Sequence, residues 1–361
     1  GIYQIIYMDK VPESAAVNES VKLAKKLTRG LSGFVNAILR SVIREQDSIG
    51  IEDLAVNDIE AISFIYNIPL WLINLWISEF GRDKTEDLCA WFNEQPKLTA
   101  RINTILIDIP QCLTMLNEQG WAVTQDSNYE DIIYINSHCG SLEKSEAFIK
   151  GYITFMDKAS MLVARLVNPQ PGERILDCCA APGGKSMYMA ALMNNVGSLM
   201  SCDIHEHKIE LMNSNAERLG ASIVHTKVQD ATKLPDSWNS YFDRVLVDAP
   251  CSGLGILQKK LDMRWRKQES ILRELPPLQL AILERAAMTV KEKGYLIYST
   301  CTLNYKENEE VVESFLQKHK EFSIIPVVEN FPLKSNSGMI TTYPPTDDMD
   351  GFFMVKMQRI S

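Results

Sequence analysis

Through the first 58 or so residues, apolar side chains recur every three to four positions, the period of helices with one buried face. Glu19 to Thr28 and Phe34 to Arg44 carry the pattern most clearly, with Gly30 and Gly33 marking a break between two helices. From Pro69 to about Lys150 the rhythm changes. Helical stretches at Trp71 to Phe80, Lys84 to Asn93 and Gln111 to Gln119 alternate with short strand candidates near Ala100 to Ile105 and Asp131 to Ile135, which predicts an α+β region. After Gly151, short apolar runs alternate with amphipathic stretches. Ile175 to Cys179, Gly197 to Cys202, Ile223 to Val228, Arg244 to Val247 and Tyr295 to Ser299 are expected as buried parallel strands. Helices are expected between them at Lys185 to Met193, His205 to Leu219 and Leu278 to Val290, and after them at Tyr305 to His319. The pattern therefore predicts a multidomain chain: an all-α segment over residues 1–58, an α+β linker over 59–145, and a doubly wound, Rossmann-like α/β domain over 146–361. In such sheets ligands bind outside the carboxyl ends of the strands.

Composition narrows the class. The chain has 361 residues, 46% of them hydrophobic, enough to bury a full core. No apolar run reaches the roughly 18 residues of a membrane span, and the start does not read as a signal peptide, so a cytoplasmic protein without membrane contact is expected. The helical pattern is already running at Gly1, which leads us to expect residues upstream. Eight cysteines without a CxxC pair read as free thiols rather than as a disulfide framework or a metal site. A net charge of −9 argues against nucleic-acid binding by the chain as a whole, so charge has to be read locally. Lys22, Lys25, Lys26, Arg29, Arg40 and Arg44 outnumber the acids around them, as either a phosphate-facing surface or a solvated helix face would. A monomer is the default expectation.

The first predicted strand of the α/β domain runs into Asp177-Cys178-Cys179-Ala180-Ala181-Pro182-Gly183-Gly184-Lys185, where glycines let backbone approach a ligand at a helix N-terminus. This loop has neither the GxGxxG of dinucleotide folds nor the GxxxxGK[ST] of a P-loop. Asp203 at the end of the second strand is placed to hold ribose hydroxyls, and Asp230 at the end of the third to accept from an adenine amine. An adenosine-containing ligand without a pyrophosphate fits best, which points to S-adenosylmethionine. Cys178 and Cys179, adjacent on a strand, point to opposite faces and read as small core residues. His205 and His207, two apart on a helix, do not share a face and read as surface residues.

Two further runs end in cysteines: Val245-Leu246-Val247-Asp248-Ala249-Pro250-Cys251 and Tyr295-Leu296-Ile297-Tyr298-Ser299-Thr300-Cys301. Carbon 5 of a pyrimidine is too electron-poor to attack a methyl sulfonium until a nucleophile adds at carbon 6. Cys301 can be that nucleophile. Asn304 with Glu307 reads as the cap of the helix that follows, whose partial positive charge would favour a thiolate. Cys251 then remains for breakdown of the adduct, and Asp248 can hydrogen-bond the cytosine edge. Either cysteine alone would read as a small buried hydrophobe. Lys259, Lys260, Arg264, Arg266 and Lys267 follow with Trp265 among them, and Arg264, Trp265, Arg266 and Lys267 are the expected RNA contacts, a solvated basic loop being the bland alternative. The target base has to be unpaired or flipped out.

These residues resemble the RNA cytosine-5 methyltransferases of the NOL/NOP/Sun family. The likeness extends to Met156 through Ser160, where Met156 replaces the usual Gln, and to Asp350-Gly351-Phe352-Phe353. It implies that Asp177 to Lys185 bind the cofactor, that the cysteine of Thr300-Cys301 attacks, and that the cysteine of Pro250-Cys251 serves release. DNA cytosine-5 enzymes attack with the Pro-Cys cysteine, so the presence of Cys301 implies RNA. Tyr3 to Asp9, Pro12 to Val17 and Gly33 to Arg40 look like the second part of a NusB-like RNA-binding domain, without its first helices. That fusion resembles the bacterial Sun/Fmu type and implies 16S rRNA as substrate. A tRNA enzyme and a non-catalytic RNA-binding assembly factor are the alternatives, the second opposed by the intact Asp248, Cys251 and Cys301.

Overall fold

The structure is a computed structural model that describes residues 1–28, 30–45, 58–327, 331–333, 335 and 337–360. Arg29, and the part of the expected helical stretch over 46–57, lie outside the described residues. The chain divides into two compact units, Gly1–Asn67 and Ile68–Ser361.

In the first unit, helices run over Ile2–Tyr7, Glu13–Leu27, Ser32–Glu45 and Asp58–Tyr66. Ile5, Ala16, Val17 and Leu39 are buried together with Val21, Val35 and Val42 against them, the helical period closing on one small core. The unit ends after Asp58–Tyr66, so that helix groups here rather than with the linker expected from residue 59. Lys22 pairs with Glu19 at 2.6 Å on an exposed face, and Arg40 Nε donates to Asn36 Oδ1 at 3.3 Å.

The second unit opens with helices Leu70–Phe80, Arg82–Asn93 and Ile109–Glu118 and the strands β1 (Thr99–Ile102), β2 (Ala122–Gln125), β3 (Ile132–Ser137) and β4 (Ile153–Phe155). The strands form one antiparallel sheet in the order β2-β3-β1-β4. Its last strand lies beyond residue 145, where the linker was expected to end. Gly151 permits the return: its φ is +72°, and a Cβ there would fall 2.0 Å from the Arg218 carbonyl oxygen.

The remaining strands are β5 (Arg174–Asp177), β6 (Ser198–Asp203), β7 (Val224–Val228), β8 (Phe242–Asp248), β9 (Val290–Thr300), β10 (Phe322–Ile324), β11 (Met339–Thr341) and β12 (Phe353–Arg359). They form an eight-stranded sheet in the order β10-β12-β9-β8-β5-β6-β7, with β11 paired to β12. From β9 to β7 every pairing is parallel, and on the other side β12 runs antiparallel to β9, with β10 and β11 antiparallel to β12. Alternate residues feed two cores. Leu246, Ile297 and Met354 pack with helices Lys158–Val167 and Gly184–Leu192, whereas Val245, Val247, Leu296, Tyr298 and Val355 pack with helices Ile271–Ala287 and Glu309–Lys318.

Three elements depart from the sequence expectation. β7 is an edge strand with His225, Lys227 and Val228 exposed, not a buried one. The helix expected from Leu278 begins at Ile271 and carries Pro276 and Pro277 inside it. The turn before them is held by bonds from Ile271, Leu272 and Arg273 N–H to carbonyls three residues back, and the carbonyls of Leu272 and Arg273 are the ones that the prolines, lacking an N–H, cannot serve. The helix expected over Tyr305 to His319 is a single turn, Tyr305–Glu307, followed by a helix from Glu309. Among the described residues, no single helix is long and apolar enough to cross a membrane.

Candidate active site

Strands β5 to β9 leave their carboxyl ends on one side, and a cavity of about 460 Å³ lies across them. Its walls are Cys178, Cys179 and Ala181 after β5, Asp203 to His205 at the end of β6, Gln229 to Thr232 after β7, Asp248 to Cys251 at the end of β8, and Cys301 after β9. Of the expected cofactor loop, Cys179 and Ala181 line the cavity, while Ala180, Pro182, Gly183, Gly184 and Lys185 are not part of its wall. Gly183, at φ +100°, turns the chain into helix Gly184–Leu192.

The lining suits an adenosyl compound. Asp203 Oδ1 accepts the His205 N–H at 3.0 Å. Asp230 Oδ1 accepts the hydroxyl of Thr232 at 2.7 Å and its N–H at 2.9 Å, bonds that hold its pKa below the ordinary value. Both carboxylates face the same cavity, as acceptors for hydroxyl and amine groups, while Ile204, Leu278 and Ile282 supply apolar wall. The basic lining residues are His205 and Lys208, the latter 3.7 Å from Asp203 Oδ1. Behind the loop, Asp177 is fully buried. Its Oδ2 accepts from Ser186 Oγ at 2.6 Å, its Oδ1 has no partner, and burial pushes its pKa up to about 7.

At the other end of the cavity the sulfurs of Cys251 and Cys301 lie 3.3 Å apart. Backbone fixes this approach: Gly255 N–H donates to the Cys301 carbonyl at 3.0 Å, and Gly351 N–H to the Gly255 carbonyl at 2.8 Å. The two glycine segments are so close that a Cβ on Gly255 would fall 1.8 Å from the Gly351 oxygen. Asp248 is held by both oxygens, Oδ2 accepting from Lys185 Nζ at 2.6 Å and Oδ1 from Ser299 Oγ at 2.8 Å. Burial alone would lower the Lys185 ammonium, but Asp248 and then Cys301 outweigh it, and its pKa is raised. The Cys251 thiol is held well above its ordinary pKa by its bond to Cys301 and then by burial. Either sulfur can be the donor in this 3.3 Å contact.

Three expectations need correction. Asn304 Oδ1 accepts from Lys306 N and caps only the turn Tyr305–Glu307; the helix proper starts with Glu309 and Glu310, whose charges oppose any thiolate nearby. The cation in this part of the site is Lys185, bonded to Asp248. Arg264 is not a surface contact for RNA. It is 3% exposed, and its guanidinium donates to Asn93 Oδ1 at 2.7 Å and the Phe92 carbonyl at 2.6 Å, tying the short helix Met263–Arg266 to helix Arg82–Asn93. Lys259 is likewise engaged, by Asp157 and Asp350. Trp265 is 60% exposed, Arg266 is exposed beside Asp262 at 3.1 Å, and Lys267 is half-buried. Glu307 was read as a capping residue, yet it is fully buried and accepts the Ser252 N–H at 2.8 Å, joining the two cysteine loops. The Asn304-x-x-Glu307 spacing signalled a structured turn but not its long-range partner. Among the described residues, no group of His, Cys, Asp and Glu is placed to hold a metal.

Known proteins resemble this chain along nearly its whole length. The family model described as 16S rRNA methyltransferase RsmB/F matches residues 164–358, a NusB family model matches 1–44, and a ferredoxin-like domain model of RsmF/B-like methyltransferases matches 68–141. The probable ribosomal RNA small subunit methyltransferase B of Bacillus subtilis (strain 168) is 36% identical over 99% of this chain and 81% of its own length. The crystal structure of PH0851 superposes with a TM-score of 0.86 at 28% identity, covering 99% of this chain and 80% of that one. NSun6 from Pyrococcus horikoshii, solved with SFG, shares the fold at a TM-score of 0.73 and 21% identity, over 80% of this chain and 97% of its own. With S-adenosylmethionine as its cofactor, the chain belongs to the 16S rRNA methyltransferase RsmB/F family.

Proposed function

We propose that this protein methylates carbon 5 of a cytosine in small-subunit rRNA through a covalent bond between Cys301 and carbon 6 of the ring. The observation that carries the reading is the 3.3 Å approach of two thiols beside the cofactor cavity, one of them kept protonated. The Cys301 sulfur adds to carbon 6, and the electron pair displaced from the ring double bond makes carbon 5 nucleophilic. Asp248, fixed by Lys185 and Ser299, hydrogen-bonds the cytosine edge while charge builds there. S-adenosylmethionine supplies the electrophilic methyl group that the activated carbon takes up. The thioether S-adenosylhomocysteine would be the product left by the transfer; loss of the carbon-5 proton to solvent then re-forms the double bond and expels the Cys301 sulfur as a thiolate, with Cys251 serving this release.

Exposed Trp265 and Arg266, with Lys267, are the loop residues proposed to meet RNA, by stacking and by phosphate contact. Methyl-labelled S-adenosylmethionine, the purified protein and small-subunit rRNA test the reading. Label recovered as 5-methylcytidine supports it. Label in another methylated nucleoside, or transfer to tRNA in preference to rRNA, would overturn it.

A further inference from the structure

The sequence neighbours Glu307 and Asn308 lie outside the cavity wall, yet each grips the backbone around one cysteine. Glu307 is fully buried, and its two oxygens accept from Ser252 N–H, Ser252 Oγ, Asn304 Nδ2 and Gln279 Nε2. Gln279 Nε2 also donates to the Pro250 carbonyl at 2.9 Å. The residue before Cys251 and the residue after it are therefore both anchored to the Glu307–Gln279 pair. Asn308, 1% exposed, does the same for the other thiol: its Oδ1 accepts from Thr300 Oγ1 at 2.5 Å and its Nδ2 donates to the Thr302 carbonyl at 2.9 Å. Two contacts join the brackets, Ser252 Oγ with Thr302 Oγ1 at 2.8 Å and Asn304 Nδ2 donating to Glu307 Oε1 at 3.1 Å.

We infer that Glu307 and Asn308 are separate positioning residues for the two cysteines, Glu307 for Cys251 and Asn308 for Cys301. Buried groups bonded on both sides of a residue leave its backbone little freedom, and an acceptor with four donors cannot be replaced by an amide without leaving donors facing a donor. Turning Glu307 into glutamine keeps its shape and disturbs chiefly the Cys251 side, where three of its four donors sit: Ser252 N–H, Ser252 Oγ and Gln279 Nε2. Removing the Asn308 amide frees the Cys301 side alone. This division of labour rests on the proposed roles of the two thiols, attack by Cys301 and release by Cys251.

The test compares Glu307→Gln, Ser252→Ala and Asn308→Ala with the parent protein, using small-subunit rRNA and cofactor. Formation and decay of the covalent protein–RNA species are timed on denaturing gels. We expect Glu307→Gln to slow decay about tenfold while formation stays within about threefold, and Asn308→Ala to show the opposite split, tenfold being about 1.4 kcal/mol of barrier. Ser252→Ala removes one Glu307 bond and keeps the N–H, so it should shift decay in the same direction by less. A second readout needs no RNA: a trivalent phenylarsenical, which bridges two adjacent thiols, should be captured more weakly by Glu307→Gln and Asn308→Ala than by the parent. Equal slowing of formation and decay in both variants, or parental capture of the arsenical by both, would overturn the inference. Cys301→Ala and Cys251→Ala controls separate its failure from that of the roles: if they exchange phenotypes, the two splits should exchange as well, while arsenical capture is judged unchanged.

Discussion

Replacing Arg264 by alanine should destabilise the protein and leave the salt dependence of RNA binding unchanged. The side chain is 3% exposed and donates two charge-assisted hydrogen bonds, to Asn93 Oδ1 and to the Phe92 carbonyl. Hydrogen bonds to charged groups contribute roughly 1.5–3 kcal/mol each, and the loss here is expected near 3 kcal/mol because the exposed Asn93 side chain can turn to water. For a unit the size of Ile68–Ser361, with an unfolding entropy of roughly 0.6 kcal/mol/K, that lowers the melting temperature by about 5 °C. Arg266 is the control. Its ion pair with Asp262 is solvent-exposed, so Arg266→Ala should change stability by less than about 0.5 kcal/mol. If it meets one phosphate, the slope of log affinity against log salt should fall by roughly 0.7–0.9. Thermal melts and salt titrations with small-subunit rRNA read both effects. Arg264→Ala with an unchanged melt and a reduced salt slope would refute the structural reading and restore Arg264 as an RNA contact.

Gly255→Ala places a Cβ 1.8 Å from the Gly351 oxygen and must move the backbone that holds Cys301, so activity should fall at least about a hundredfold in a methyl-transfer assay, a barrier change of about 2.7 kcal/mol. Near-parental turnover would show that this close approach is dispensable. Asp203→Ala combined with Asp230→Ala should weaken S-adenosylmethionine binding by calorimetry, each lost charged acceptor being worth about tenfold or more; unchanged affinity would remove both from the cofactor site. Asp177 carries a pH prediction. Its carboxyl releases its proton near 3.8 when unfolded but near 7 when folded, so the folded state binds more protons in between and stability falls as pH rises through that window. Asp177→Asn has no proton to lose. Denaturation midpoints of the cofactor-free proteins should favour the variant increasingly from about pH 4 to pH 7 and by a constant amount above. A pH-independent difference would sink the assignment.

Much of the catalytic domain was legible because strand-end chemistry is local. Asp177, Asp203, Asp248, Cys251 and Cys301 each sit at or just past an apolar run, and the parallel sheet brings such ends together by topology. The pairings that fix the site were not legible because they link distant positions. Glu307 to Ser252, Gly255 to Gly351 and Arg264 to Asn93 leave no periodic trace. Arg264 shows why: a basic residue beside an aromatic has the same local pattern whether it faces RNA or clamps a neighbouring helix. The cap assigned to Asn304 failed for a related reason, since the motif is real but serves one turn ahead of the helix.

The central claim is the division of labour between the two cysteines, and trapping of the covalent intermediate tests it most directly. Parent, Cys301→Ala and Cys251→Ala proteins are incubated with small-subunit rRNA and cofactor, denatured, and scored for RNA-linked protein. Cys301→Ala should give no linked species, and Cys251→Ala should accumulate one whose RNA maps by mass to Cys301. Accumulation in Cys301→Ala with none in Cys251→Ala would contradict the account.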